Sequence, residues 1–81
     1  MSRARAVVEV VARALAARPD DVVVTESERR GQSVVELRMP PGELGRVIGR
    51  QGRTAAAVRA LAAAAGELDG RRVIVDFRDD R

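Results

Sequence analysis

The sequence places two glycines three positions apart, Gly49 and Gly52, in a stretch whose residue types suit the binding of an anion. Glycine reaches positive φ without steric cost, so this pair permits a sharp turn and leaves room for a ligand's backbone. The turn leads into a predicted helix, whose first N–H groups and positive dipole end favour a phosphate. Arg50 and Gln51, between the glycines, would present N–H groups and side chains to that phosphate.

Four arginines surround this turn, and no acidic residue lies between positions 44 and 66. They are Arg46, Arg50, Arg53 and Arg59. The formal net charge of the 81 residues is only +3, because 15 basic residues, all of them arginine, stand against 12 acidic ones. The clustering of the arginines, rather than their total, therefore predicts one positive face.

Other chemistries lack the residues that they need. The sequence has no cysteine and no histidine, which excludes disulfides and thiolate metal sites and removes the usual general base and the commonest metal ligand. The few hydroxyl side chains have no base beside them, so neither an enzyme nor a cofactor is expected. A nucleotide-binding P-loop would need a glycine where Val47 stands and a strand before the turn.

The apolar patterns predict six elements in the order α-β-β-α-α-β. Helices are expected from Ser2, as N-cap, to about residue 17, over 43–48 and over 53–65 with Gly66 as C-cap; strands are expected over 21–28, 33–39 and 72–77, followed by a charged tail over 78–81. The first two strands should form a hairpin. Such a pattern indicates one two-layer α+β domain over 1–81, with helices on one face of a three-stranded sheet.

The run from Glu43 to Arg53, Glu-Leu-Gly-Arg-Val-Ile-Gly-Arg-Gln-Gly-Arg, resembles the signature of KH domains. The chain as a whole resembles the small single-domain bacterial KH proteins of the KhpA family, because its length and order of elements match the type II arrangement. This resemblance implies a non-catalytic protein that binds single-stranded RNA, with the Gly-x-x-Gly loop clamping the backbone of about four nucleotides. It also implies a role as an RNA chaperone or post-transcriptional regulator.

In such a domain the bases would lie in an aliphatic groove between the two helices and a neighbouring strand. The expected lining is Val47, Ala55, Ala56 and Val58, with Val35 or Leu37 at the floor and Ile48 in the core. The RNA-binding set is then Arg46, Val47, Gly49, Arg50, Gln51, Gly52, Arg53 and Arg59.

Two other nucleic-acid modules fit the residues less well. Modules that grip bases by stacking need exposed aromatic side chains, and Phe77, the only aromatic residue, is expected on a buried strand parity. A helix-turn-helix protein needs a recognition helix that carries polar side chains to base edges. The helix over 53–65 offers only Arg53, Thr54 and Arg59 among ten apolar residues.

The resemblance also implies protein partners, either a second copy in a homodimer or a second KH-containing protein. The alanine-rich helix, at Ala63 and Ala64, is the predicted contact surface, and a protein–protein adaptor remains the alternative function. No apolar run approaches the roughly 20 residues that span a bilayer, so the expectation is a cytoplasmic protein without a membrane segment. An N-terminal transit peptide is disfavoured because the sheet needs this helix as cover.

Overall fold

The computed structural model describes residues 2–79, and these form the predicted order of elements. The elements are α1 (Arg3–Leu15), β1 (Val23–Arg29), β2 (Gln32–Met39), α2 (Leu44–Ile48), α3 (Arg53–Leu68) and β3 (Val73–Asp79). Short 3-10 turns precede β1 at Pro19–Asp21 and α3 at Arg50–Gly52. Ser2 caps α1 as expected, since its Oγ accepts a hydrogen bond from the N–H of Arg5 at 3.1 Å.

The sheet has the order β1-β2-β3, which places β2 at its centre. β1 and β2 form the predicted antiparallel hairpin, and its turn residues Arg30 and Gly31 have φ values of 53° and 79°. Positive φ at both central residues matches the right-handed twist of the flanking strands. β3 lies parallel to β2, in register from Ser33 opposite Val73 to Met39 opposite Asp79. β2 and β3 therefore run in the same direction, toward the end of the sheet at which α2 begins.

The core lies between the sheet and the helices. β2 contributes its alternate residues Val35, Leu37 and Met39, which are fully buried. The helices close over them with small side chains, chiefly Ala4, Val8 and Ala12 from α1 and Val58 and Ala62 from α3. The small alanines allow α1 and α3 to pack closely on one face of the sheet, which confirms the two-layer α+β arrangement.

The C-terminal end of α3 differs from the prediction. The helix continues through Gly66 to Leu68, and Gly70, with φ of 68°, is the glycine that ends it. The N–H of Arg71 donates to the carbonyl of Gly66 at 2.8 Å and that of Gly70 to Glu67 at 3.0 Å, which is a Schellman motif. Gly66 is needed for another reason, because a Cβ there would lie 3.0 Å from the Arg71 carbonyl oxygen and closer to a methyl of Val73.

Three other boundaries moved by about two residues each. α1 ends at Leu15 because the next residues turn to contact the start of α2, and β1 begins only at Val23 because Pro19–Asp21 is a 3-10 turn. Arg78 and Asp79, predicted in a charged tail, extend β3. The remainder of that predicted tail, residues 80–81, lies outside the described residues.

Candidate nucleic-acid interface

The turn between α2 and α3 has a backbone that only glycine adopts readily at its two ends. Gly49 has φ of 74° and ψ of 178°, and Gly52 has φ of 72° and ψ of 15°. Between them Gln51 is also left-handed, with φ of 56° and ψ of 23°, so this side chain points out of the turn at a small conformational cost. The N–H of Gly52 donates to the Gly49 carbonyl at 3.3 Å and closes the turn.

The two glycines serve different purposes. A Cβ on Gly49 would lie 2.9 Å from the Cβ of Thr54 and closer still to its Oγ1, so the first turn of α3 packs directly on this residue. A Cβ on Gly52 would meet nothing within 4 Å, so only its backbone angles require glycine. Gly49 thus fixes the turn against α3, whereas Gly52 leaves the outer side of the turn open to a ligand.

The N-terminus of α3 faces this open side without a side-chain cap. Its N-cap is Gly52, which has no side chain to accept a hydrogen bond from the first turn. The unpaired N–H groups of a helix start carry a partial positive charge of about half an elementary charge. The N–H of Arg53 already donates to the Arg50 carbonyl, so a ligand oxygen at the turn would meet the positive end of the helix dipole and the next first-turn N–H groups, which no side chain caps.

The predicted arginines around the turn are exposed and not neutralised. Arg46, Arg50 and Arg53 make no ion pair with any of the residues 2–79, and Arg53 instead donates from Nη2 to Oε1 of Gln51 at 3.0 Å. By contrast, Arg71 at the other end of α3 pairs with Glu28 at 2.6 Å. The loop therefore carries three guanidinium groups that no described acid neutralises.

Arg59 lies farther along α3 and has a partner of a different kind. Six residues after Arg53, it is about 9 Å along the helix axis. Its Cζ lies 4.7 Å from the centroid of the Phe77 ring, on β3. Phe77 is half-buried rather than buried, with one side packed against the core cluster. The guanidinium therefore lies beside the α3–β3 junction and not at the turn.

The predicted aliphatic groove is largely wrong. Val47 is only 1% exposed and belongs to the core, so it cannot line a groove in this conformation. Val35 and Leu37 are fully buried, because β2 is the central strand and β3 lies on the side of the sheet that α2 and α3 contact. Ala55 and Val58 are buried as well, and of the predicted lining only Ala56 is exposed.

Ile48, predicted in the core, is half-buried and lies outside the residues that pack against the core cluster. α2 is a short helix in which positions i and i+3 share a face. Leu44 and Val47 are such a pair, and both contact the core. Leu44 and Ile48, at i, i+4, would share a face equally well, so the spacing alone does not distinguish Val47 from Ile48.

A buried carboxylate that the sequence did not single out positions α2. Glu43, only 7% exposed, accepts hydrogen bonds at Oε1 from the N–H of Ala17 at 2.7 Å and of Arg18 at 3.3 Å. Its other oxygen lies 3.6 Å from Nε of Arg18. Glu43 thereby ties the segment after α1 to the start of α2, and so fixes where the glycine turn stands.

A second surface, the α1/α3 apolar face, lies away from the turn. It is lined entirely by Ala6, Val7, Val10, Val11 and Leu61. Val10 is 70% exposed and Leu61 53% exposed. Ala63 and Ala64, the predicted contact residues, are exposed on α3 but do not line the α1/α3 apolar face. Among residues 2–79, no helix combines the length and apolar character needed to cross a membrane.

A glycine turn between two helices, packed on a sheet whose second and third strands are parallel, defines a KH domain of type II. The likeness to a crystal structure of a variant of Era from Aquifex aeolicus, bound to GDP and aluminium fluoride, shows the same fold. That match has a TM-score of 0.61 and 19% identity, and it covers 94% of this chain and 29% of the Era chain.

Comparison of sequences gives the family. The family model described as KhpA/KhpB, KH domain, matches residues 5–77. A protein named RNA-binding protein KhpA from Aquifex aeolicus is 45% identical over 77 residues, which are 95% of this chain and 98% of that protein. Proteins of the same name from Leifsonia xyli and Streptomyces coelicolor are 59% and 49% identical over 76% and 75% of this chain, and over 79% and 73% of their own lengths. The chain belongs to the KhpA/KhpB family of KH domains.

Proposed function

We propose that this protein binds single-stranded RNA by seating a phosphate group in the glycine turn, without catalysing a reaction. The observation that carries the proposal is the uncapped start of α3 behind an exposed turn, beside Arg46, Arg50 and Arg53, which no described acid neutralises. Backbone donors and guanidinium groups then act on the same phosphate oxygens. Relatives that share most of the chain are named RNA-binding proteins.

The test is a variant that reverses the charge of the turn. The variant is Arg50→Asp/Gln51→Asp. Both side chains that it replaces are exposed in the parent, and Asp adopts the left-handed conformation of position 51 more readily than Gln. The fold should therefore be retained while binding of an unstructured RNA oligonucleotide is lost in a filter-binding titration. Parent-like affinity in this variant, with circular dichroism unchanged, would refute the assignment of the site.

A matched control separates the site from the total charge. Arg30→Asp/Arg72→Ala also lowers the net charge by three. Both residues are exposed, Arg30 in the β1–β2 turn and Arg72 beyond the C-terminal end of α3, whose 16 residues span about 24 Å. We expect this control to retain most of the affinity. With two to four phosphates neutralised in the parent, the logarithm of the affinity should fall with the logarithm of salt concentration at a slope of about −1.5 to −3.

The finer role that fits this surface is that of an RNA chaperone or post-transcriptional regulator in the cytoplasm. The exposed side of α3 carries mainly alanine, which offers few hydrogen bonds to base edges, so discrimination between bases should be weak. Crosslinking in cells followed by RNA sequencing tests this role. Many bound transcripts without a shared motif would support it, and a single enriched motif would argue against it.

Association with a second protein is favoured by one observation, the α1/α3 apolar face with Val10 and Leu61 exposed. A homodimer, or a heterodimer with a second KH-containing protein, would bury this face. Leu61→Arg should abolish a dimer measured by sedimentation more completely than Ala63→Arg or Ala64→Arg. A monomer mass for the parent protein would rule out the homodimer. A stable complex with another protein, without salt-sensitive RNA binding, would favour the adaptor alternative.

A further inference from the structure

Arg59 and Phe77 form a cation–π pair at the α3–β3 junction, about one and a half helical turns beyond the start of α3. The Arg59 Cζ lies 4.7 Å above the centroid of the Phe77 ring. Phe77 is the only aromatic residue of the sequence, and Arg59 is the only charged residue of α3 between Arg53 and Glu67. Arg59 of the alanine-rich helix thus lies over the ring of Phe77, in a part of the fold where α2, α3 and β3 contact one another.

The outer side of this pair is open. Arg59 is exposed and makes no ion pair with any residue in the range 2–79. Its exposed neighbours on the helix surface are Ala56, one turn before it, and Ala63, one turn after it, and neither is long enough to cover a guanidinium plane. The guanidinium therefore lies over the ring while the residue as a whole remains exposed.

We infer that Arg59, held over the ring of Phe77, is a stacking platform for one base of the bound RNA. The inference rests on the proposed function and deepens it. Its charge alone would suggest that Arg59 contacts a phosphate, whereas the inference assigns it a contact with a base. Bases of single-stranded RNA stack on guanidinium planes as they do on aromatic rings. With a phosphate in the turn, a base a short distance along the strand would reach the platform, which lies about 9 Å beyond Arg53 along α3.

Replacement of Arg59 by lysine separates stacking from charge. Lysine keeps the positive charge and a good helix propensity but has no planar group on which a base can stack. If the platform acts as inferred, Arg59→Lys should lower RNA affinity roughly 5- to 150-fold, the equivalent of one lost base stack. The slope of affinity against salt should stay as in the parent, because the number of neutralised phosphates does not change.

An abasic scan gives a readout that a structural role of the pair would not move. Oligonucleotides with one abasic position at a time are titrated against the parent and against Arg59→Lys. We expect one position at which removal of the base weakens the parent but leaves Arg59→Lys unaffected. Arg72→Lys, exposed at the far end of α3, is the matched control and should behave as the parent.

The outcomes distinguish this inference from the proposed function. If Arg50→Asp/Gln51→Asp loses RNA but Arg59→Lys binds within twofold of the parent, Arg59 supplies charge only and the platform is overturned. The same conclusion follows if the loss in Arg59→Lys is equal at every abasic position. If the parent itself shows no salt-dependent RNA binding, the proposed function fails, and the platform fails with it.

Discussion

Replacement of Gly49 by alanine should destabilise the protein far more than the same change at Gly52, although both glycines belong to one turn. Gly49 has φ of 74° and ψ of 178°, a region that costs a residue with a side chain about 1–3 kcal/mol. Its new Cβ would also lie 2.9 Å from the Cβ and 3.2 Å from the backbone N of Thr54. Crowding of this kind adds about 1–3 kcal/mol, so the total is about 4 kcal/mol.

At Gly52 the same substitution adds only the backbone term. The left-handed conformation costs alanine about 1–2 kcal/mol, and no atom lies within 4 Å of the new Cβ. The expected difference between the two variants is about 2–3 kcal/mol, a large share of the roughly 4–12 kcal/mol available to a domain of 81 residues.

Urea unfolding followed by circular dichroism measures this difference directly. A second substitution, Thr54→Ala, should recover part of the loss at Gly49, because it removes the Oγ1 that the new methyl group approaches most closely. Recovery should be incomplete, since the Thr54 Cβ position is unchanged. Equal losses at Gly49 and Gly52, or no recovery with Thr54→Ala, would refute the reasoning that α3 packs on the first glycine.

Three further predictions concern the elements that hold the turn in place. Gly66→Ala should cost about 1–3 kcal/mol in thermal or urea unfolding, because its Cβ would lie 3.0 Å from a backbone oxygen, whereas Gly45→Ala, with nothing within 4 Å, should be neutral or stabilising. Glu43→Ala should lower the free energy of unfolding by about 1–3 kcal/mol and expose the amides of Ala17 and Arg18 to hydrogen exchange. Glu43→Gln should be milder, because its amide oxygen can still accept these hydrogen bonds. Full protection of both amides in Glu43→Ala would contradict the role of Glu43 in holding the segment after α1 to α2. Hydrogen bonds from the Arg3 N–H and then from its guanidinium hold the pKa of Asp69 below its ordinary value. A carboxyl whose pKa is lowered by folding stabilises the protein above its unfolded-state pKa of about 4, and this stabilisation is lost as the pH falls through the lowered pKa. The difference in the free energy of unfolding between the parent and Asp69→Asn should therefore shrink on acidification.

The sequence was sufficient for local features because these depend on neighbours in the chain. The Ser2 cap, the hairpin and the helix after the glycine turn all follow from residues a few positions apart, and each is found. The end of α3 was placed at Gly66 because a glycine after an apolar run is the usual C-cap signal. In the structure that glycine is required by a contact with Val73, which no local pattern encodes.

The lining of the site could not be predicted in the same way. α2 has five residues, too few for a periodicity to separate Val47 from Ile48, and the contacts with the rest of the core decided which one is buried. The choice of Val35 and Leu37 for a groove floor failed because strand order is a long-range property. An alternating strand has the same pattern whether it is central or at an edge of the sheet.

By itself the sequence determined the order of the elements, the left-handed turn at Gly49 and Gly52, and the gathering of arginines around it, since composition and spacing along the chain fix all three. Only the tertiary structure decided that β3 is the edge strand that α2 and α3 contact, that Val47 is core, and that Arg59 lies over Phe77. These last features join residues far apart in the chain, and their positions depend on how the helices pack on the sheet.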